Sequence, residues 1–227
     1  MVDRYKRLAP LSGVVMVVAI VVALSLGSSP DTKDSGAQVI QWYQHHHAAA
    51  TAQSFLLAYA AALGVLYFTS VASFLRSRGS HVLAVTTTVG GAIMATGLLL
   101  GAGFNVTLVD RTTHLSTDTA QALNYLQDDA FGFMLFAGLF VATLSLGVAM
   151  LRTKSYPTAL GVAAVIVGIG AGTGIVSWFA FMASGLITLV VACYTYYYLG
   201  QPQEITIPEI PAARASTESR TRARSQA

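Results

Sequence analysis

The stretch QDDAFGFMLFAGLFVATLSLGVAMLR, residues 127–152, decides the fold that this sequence predicts. Between Asp129 and Arg152 it holds no charged residue, and about 20 apolar residues are enough to cross the hydrocarbon core of a bilayer. Two adjacent carboxylates, Asp128 and Asp129, stand at one end and Arg152 at the other. The pattern predicts a membrane-spanning helix with an acidic rim and a basic rim.

The composition extends this prediction to the whole chain. Hydrophobic residues make up 54% of the sequence and charged residues only 10%, whereas soluble domains carry charge on roughly a quarter of their residues. Residues 158–200 carry no charge, and one helix of that length would be about 64 Å long, so we expect a hairpin that turns near 177–184. The predicted spans are therefore about 10–27, 54–75, 82–104, 130–151, 158–177 and 179–199.

The first apolar segment has two interpretations. A basic start, an apolar run and small residues afterwards are typical of a cleaved secretory signal. A retained spanning helix is favoured, because Ala9, Pro10 and Gly27 extend the run towards the minimum length.

The basic residues predict the orientation. Six spans with both ends on one side place eleven Lys and Arg residues on that side and only Lys33 and Arg111 on the other. Positive residues concentrate on the cytoplasmic side of membrane proteins. The sequence thus predicts an all-α polytopic membrane bundle, residues 1–200, with six transmembrane helices and both termini cytoplasmic. Residues 201–227, rich in Pro, Ser, Thr and Arg, predict a disordered basic cytoplasmic tail.

The second and third spans echo the fourth and fifth. At an offset of 76, Leu75-Arg76 aligns with Leu151-Arg152, and at 77, Gly91 aligns with Gly168. Parallel repeats about the membrane normal are known in transporters, although apolar helices also match by composition alone. Glycines four residues apart, as in Gly168/Gly172, favour close helix packing over a nucleotide-binding loop.

Candidate contact residues lie on the predicted outer side. His45, His46 and His47 are consecutive, so at most one or two could share a metal ion, although His114 and nearby carboxylates are possible partners. We expect no bound metal and no cofactor, and the histidines are interpreted as interfacial polar residues. Trp42 is typical of headgroup depth. Asp128 and Asp129 could contact a ligand or a basic partner, or simply mark the water boundary.

Activity is predicted mostly by exclusion. No ionisable residue lies inside a predicted span, which argues against proton relays and most ion-coupled carriers. Hydrolase signatures such as HExxH and GxSxG are absent from the sequence. We therefore predict a protein that is not an enzyme.

The segment Ala122-Leu-Asn-Tyr-Leu-Gln-Asp-Asp-Ala-Phe131, the pair Leu151-Arg152 before Pro157, and Ser70 to Arg78 carry a resemblance. Over roughly Leu11 to Leu199 the chain resembles a large bacterial group of six-helix membrane proteins that carry a domain of unknown function. The resemblance implies a multi-pass location in the bacterial cytoplasmic membrane and transfers no catalytic residue.

Two functions are predicted. The first is binding of a lipid-like molecule, or of a membrane partner or a second copy of the chain, with the lipid bilayer as surroundings and no nucleic-acid partner. The alternative is a transporter or channel for an uncharged or hydrophobic solute, built on the two-unit repeat. It predicts a cavity lined by hydroxyl groups, namely those of Thr86, Thr87, Thr88, Thr96 and Thr173.

Overall fold

A computed structural model of the chain describes residues 5, 7–27 and 29–199, and within them there is no β-strand. Among these residues, a 3-10 turn, Ala9–Leu11, leads into a series of seven α-helices. The helices are α1 Ser12–Ser25, α2 Gly36–His45, α3 His47–Ser77, α4 His81–Arg111, α5 Thr117–Thr153, α6 Thr158–Gly172 and α7 Ser177–Leu199. The predicted all-α class is confirmed, and the predicted tail 201–227 lies outside the described residues.

Four helices have the length and composition of membrane spans. These are α3, α4, α5 and α7, whose mean hydropathies lie between 1.7 and 2.2. The other two apolar helices are shorter, namely α1 with its leading turn (Ala9–Ser25) and α6. At 1.5 Å per residue, α5 is about 55 Å long, so it extends well beyond a hydrocarbon core of about 30 Å.

The six apolar helices form a closed ring. In order around it, α1 packs on α3, α3 on α4, α4 on α5, α5 on α6, α6 on α7, and α7 returns to α1. The most extensive interface joins α4 to α5, and the sparsest joins α7 to α1. The short helix α2 lies outside the ring and packs mainly on α5.

Glycines bring α4 and α5 together at backbone distance. A Cβ atom on Gly138 of α5 would collide with the backbone of Met94 and with the carbonyl oxygen of Gly90, and a Cβ atom on Gly90 would collide with the backbone of Ala142. Small residues allow such close approach between helices in an apolar medium. Across the same interface, the hydroxyls of Thr87 and Ser145 are hydrogen-bonded at 3.1 Å.

The two helix hairpins, α3–α4 and α5–α6, each contain a close glycine contact at the aligned position. A Cβ atom on Gly91 would collide with the ring of Phe68, and one on Gly168 would lie 2.7 Å from the backbone nitrogen of Leu144. Phe68 and Leu144 are 76 residues apart and the two glycines 77, as the aligned sequences require. The predicted echo therefore coincides with equivalent glycine packing in both hairpins.

Helix α2 was not predicted. Residues 28–53, between the first two predicted spans, are mostly polar, yet Ser35 starts a helix by donating its backbone N–H to Gln38 Oε1 at 2.8 Å, a capping-box interaction. Gly36, Val39 and Tyr43 are its buried residues. Helix α5 also begins with a side-chain cap, because Ser116 Oγ accepts the backbone N–H of Thr119 at 3.2 Å.

The last hairpin turns earlier than predicted. Helix α6 ends at Gly172, and α7 begins at Ser177, where the prediction had placed the start of the turn. Thr173 Oγ1 donates to the carbonyl of Gly170 at 2.8 Å, and Gly174 has φ +73°. A left-handed backbone is readily adopted by glycine, so the turn is set by Gly174 rather than by a polar loop.

Aromatic residues gather at the end of the bundle opposite α2, which we call the tyrosine end. Tyr194 packs on Tyr156 and on Tyr198, with ring centroids 5.0 and 5.7 Å apart. The guanidinium of Arg78 lies 4.8 Å from the ring centroid of Tyr198 and 5.2 Å from that of Phe74. These cation–π contacts tie the α3–α4 turn to the end of α7.

The close glycine contacts between α4 and α5 predict that the same substitution has different effects on stability at Gly138 and at Gly103. Gly138→Ala should lower the free energy of unfolding by about 1–3 kcal/mol, because the added methyl forces α4 and α5 apart. Gly103→Ala should be neutral or slightly stabilising, since nothing lies within 4 Å of that Cβ position and alanine is the better helix former. The measurement is thermal unfolding of both variants in one detergent. Equal melting temperatures would contradict the close contact of α4 and α5 at Gly138.

Candidate functional site

A polar cavity of about 470 Å³ lies at the α2 end of the bundle. It is bounded by the end of α1, the connection to α2, and the adjoining parts of α3, α4, α5 and α7. Its lining combines four amide side chains, two carboxylates and two aromatic rings. These are Gln53, Asn105, Asn124 and Gln127; Asp31 and Asp128; Phe131 and Trp178.

Asn105 is the most buried polar side chain of this lining, with 1% of its surface exposed. Its Nδ2 donates to the carbonyl of Ala50 at 3.3 Å and to Gln53 Oε1 at 3.4 Å. Because the Ala50 carbonyl can only accept, flipping the amide would lose that hydrogen bond. Its Oδ1 is buried and has no hydrogen-bond partner. A buried acceptor left unpaired costs free energy, so a donor that reached this oxygen would be stabilising.

Two further amides fasten the cavity wall. Gln127 Oε1 accepts the hydroxyl of Tyr43 at 3.1 Å, and its Nε2 donates to Ser29 Oγ at 3.4 Å. Asn124 Nδ2 donates to the backbone carbonyl of Asp31 at 3.3 Å. Three residues apart on α5, these amides lie on one helix face, and they join α5 to α2 and to the segment before it.

Burial raises the pKa of Tyr43 to about 12, and its hydrogen bond to Gln127 offsets only part of this rise. The phenol is therefore neutral at ordinary pH and keeps the hydrogen that it donates to Gln127. At the cavity mouth, the backbone N–H of Lys33 donates to the carboxylate of Asp31 and lowers its pKa. Asp31 is thus firmly ionised at neutral pH.

The charged side chains of the polar cavity's lining are all negative. Asp31 and Asp128 carry carboxylates, and the lining contains no Lys or Arg. Trp178 also belongs to the lining, and it makes edge-to-face contacts to Phe136 and Phe181 at 5.7 Å between ring centroids. A cavity with carboxylates, amide oxygens and an indole face favours a cationic or hydrogen-bond-donating group over an anion.

A second cavity, of about 370 Å³, is almost wholly apolar. It lies between α1 and α7, where the ring is loosest, and reaches inward to Phe68, Met94 and Leu139. Gly185 lies on its α7 side: the nearest atom to a Cβ built there is Val17 Cγ1, at 3.8 Å. Leu24, near the end of α1, lines both cavities.

Of the residues predicted as contacts, Asp128 and no other lines the polar cavity. Asp129, His114 and the three consecutive histidines are exposed and lie outside its lining. His45 Nδ1 donates to the carbonyl of Gln41 at 2.7 Å, and His46 Nδ1 to that of Trp42 at 3.0 Å. The Trp42 ring stacks on His46. Within the described residues, no group of three His, Cys, Asp or Glu side chains is arranged to hold a metal ion.

The predicted threonine-lined cavity does not coincide with either of the two cavities described above, because none of the five threonines lines them. Each of these hydroxyls donates to a backbone carbonyl oxygen three or four residues earlier. Such bonds are the usual way for a hydroxyl in an apolar helix to satisfy its hydrogen.

The cavity amides were missed because they stand where the predicted spans meet their loops. Asn105 immediately follows the third predicted span, and Gln53 immediately precedes the second. The structure buries Asn105 within α4. The sequence did contain a usable signal, because the spacing of Asn124, Gln127 and Asp128 places all three on one face of a helix.

Comparisons with protein-family models, with curated proteins and with solved structures found no match to this chain. The resemblance to the bacterial six-helix group therefore remains a prediction.

Proposed function

We propose that this chain is a multi-pass protein of the bacterial cytoplasmic membrane with six crossing helices and both termini in the cytoplasm. The closed ring supports six spans, because α1 and α6 pack side by side with the four membrane-length helices. Helix α1 is lengthened by its leading turn, and α6 by the turn around Gly174. The count of eleven basic residues against two supports the orientation, so the α2 end faces outwards and the tyrosine end inwards.

The activity we propose is non-enzymatic binding of a lipid-like amphiphile. One observation carries this proposal: the apolar cavity between α1 and α7 adjoins a polar cavity at the α2 end, with Leu24 in both linings. An amphiphile has the same division, with an apolar chain and a polar head. Ligand sites combine a mainly apolar lining with a few well-placed polar groups.

The entrance for such a ligand is the interface between α1 and α7. Val18, Val21 and Leu186 expose more than half of their surfaces there, which is the normal state of a side chain that faces acyl chains. A chain entering sideways from the bilayer remains in an apolar medium throughout, so no desolvation barrier opposes it. The polar head then follows along the rim of the bundle into the amide-lined cavity.

A transporter or channel for an uncharged or hydrophobic solute is the second candidate. The repeated glycine contact, Gly91 with Phe68 and Gly168 with Leu144, favours it, because repeats often accompany alternating access. It now requires the apolar cavity as the solute site, since none of the five threonines lines either described cavity. Movement of a solute across vesicles would separate transport from binding alone.

The orientation is testable with single cysteines in a Cys193→Ala background. Thr113→Cys, in the α4–α5 connection, should react with a membrane-impermeant maleimide added to intact cells. Ser77→Cys, at the end of α3, should react only after the membrane is opened. Both positions are exposed, so access alone decides the labelling. Labelling of Ser77→Cys in intact cells would overturn the proposed orientation.

Amphiphile binding is testable by filling the apolar cavity. Gly185→Leu should weaken binding of dodecanol by roughly tenfold or more, because the new side chain occupies space that the alkyl chain needs. Gly103→Leu is the matched control, since its Cβ position has no neighbour within 4 Å and lies outside both cavities. Native mass spectrometry of the full chain in maltoside measures the bound fraction. Equal binding by the two variants would reject the proposed site.

A further inference from the structure

We infer that the polar cavity selects an amphiphile whose head carries a protonated primary amine. This inference rests on the proposed function and adds the headgroup class to it. The chemistry that would recognise such a head is an unpaired buried acceptor, two carboxylates and an aromatic face within one cavity.

The buried acceptor is Asn105 Oδ1. It is buried without a partner, while the Nδ2 of the same amide is fully engaged with Ala50 and Gln53. An ammonium or hydroxyl group can donate to this oxygen, but a quaternary ammonium cannot, because it has no hydrogen to give. The amide therefore excludes one class of cationic head and admits the other.

The carboxylates distinguish an ammonium from a hydroxyl. Asp128 and Asp31 line the same cavity, and no lining side chain offers a compensating positive charge. A phosphate or carboxylate head would be repelled, and a neutral polyol would form hydrogen bonds to the carboxylates without the attraction between opposite charges. A charged donor forms stronger hydrogen bonds with carboxylates than a neutral donor does. The indole of Trp178 adds a surface that attracts cations.

Asp129 provides an internal control for the charge of Asp128. It is adjacent to Asp128, lies on the same helix and is exposed like it, yet it is absent from the cavity lining. Neutralising either residue changes the charge of the protein equally. A general electrostatic attraction of amines to the α2 end would respond equally to both changes, whereas a site in the cavity responds only to Asp128.

The fluorescence of Trp178 supplies the readout. The chain has two tryptophans, Trp42 and Trp178, so a Trp42→Phe background leaves a single indole in the cavity lining. Full-length protein in maltoside micelles is titrated with dodecylamine, dodecanol and dodecanoate, which share one chain and differ in the head. Ethanolamine, a soluble primary amine without a chain, shows whether a free organic cation suffices.

We expect dodecylamine to bind more tightly than dodecanol, and dodecanoate to bind least. Asp128→Asn should weaken dodecylamine about threefold, the range for a partly exposed charge pair, and leave dodecanol unchanged. Asp129→Asn should change neither. The double variant Asp31→Asn/Asp128→Asn should lose about tenfold for the amine, while asparagine at position 31 still accepts the backbone N–H of Lys33.

The outcomes separate this inference from the proposed function. Equal effects of Asp128→Asn and Asp129→Asn, or equal affinity for amine and alcohol, would overturn the headgroup inference while leaving chain binding intact. Binding of ethanolamine as tight as that of dodecylamine would show a soluble cation as the ligand and overturn the amphiphile. If Gly185→Leu leaves dodecanol and dodecylamine unaffected, the proposed function fails first.

Discussion

The close approach of α4 and α5 at Gly90 and Gly138 is the constraint on which the rest of the structure depends. In an apolar medium no hydrophobic force drives helices together, so contact area has to come from surfaces that fit closely. Glycine removes the side chain that would keep the two backbones apart. The same device at Gly147 and Gly168 joins α5 to α6, and these two seams make the long helix α5 the centre of one side of the ring.

The opposite side of the ring is built differently. Between α1 and α7 no pair of backbones meets through glycine: a Cβ atom on Gly185 would touch only Val17 Cγ1, at ordinary contact distance. Larger and more flexible side chains, including Met16 and Met182, line the space that remains. The contrast between the tight glycine contacts and this one loose interface places the apolar cavity between α1 and α7.

The sequence was most informative where apolar length and charge decide the structure. Long uncharged segments predicted the apolar helices, and the aligned glycines Gly91 and Gly168 each lie in a close contact within their own hairpin. Helix α2 was not predicted, because its buried residues are only Gly36, Val39 and Tyr43 within a mostly polar run. The polar cavity was not predicted, because the unpaired Asn105 Oδ1 arises from tertiary contacts with Ala50 and Gln53. No spacing along the chain encodes these contacts.

A structure of the chain crystallised from a lipid mesophase containing dodecylamine tests the central claim most directly. The account predicts elongated density between α1 and α7, passing Gly185 and Leu24, with the amine within hydrogen-bond distance of Asn105 Oδ1. An apolar cavity filled by the side chains of α1 and α7, with no bound chain and with water alone on Asn105, would contradict it.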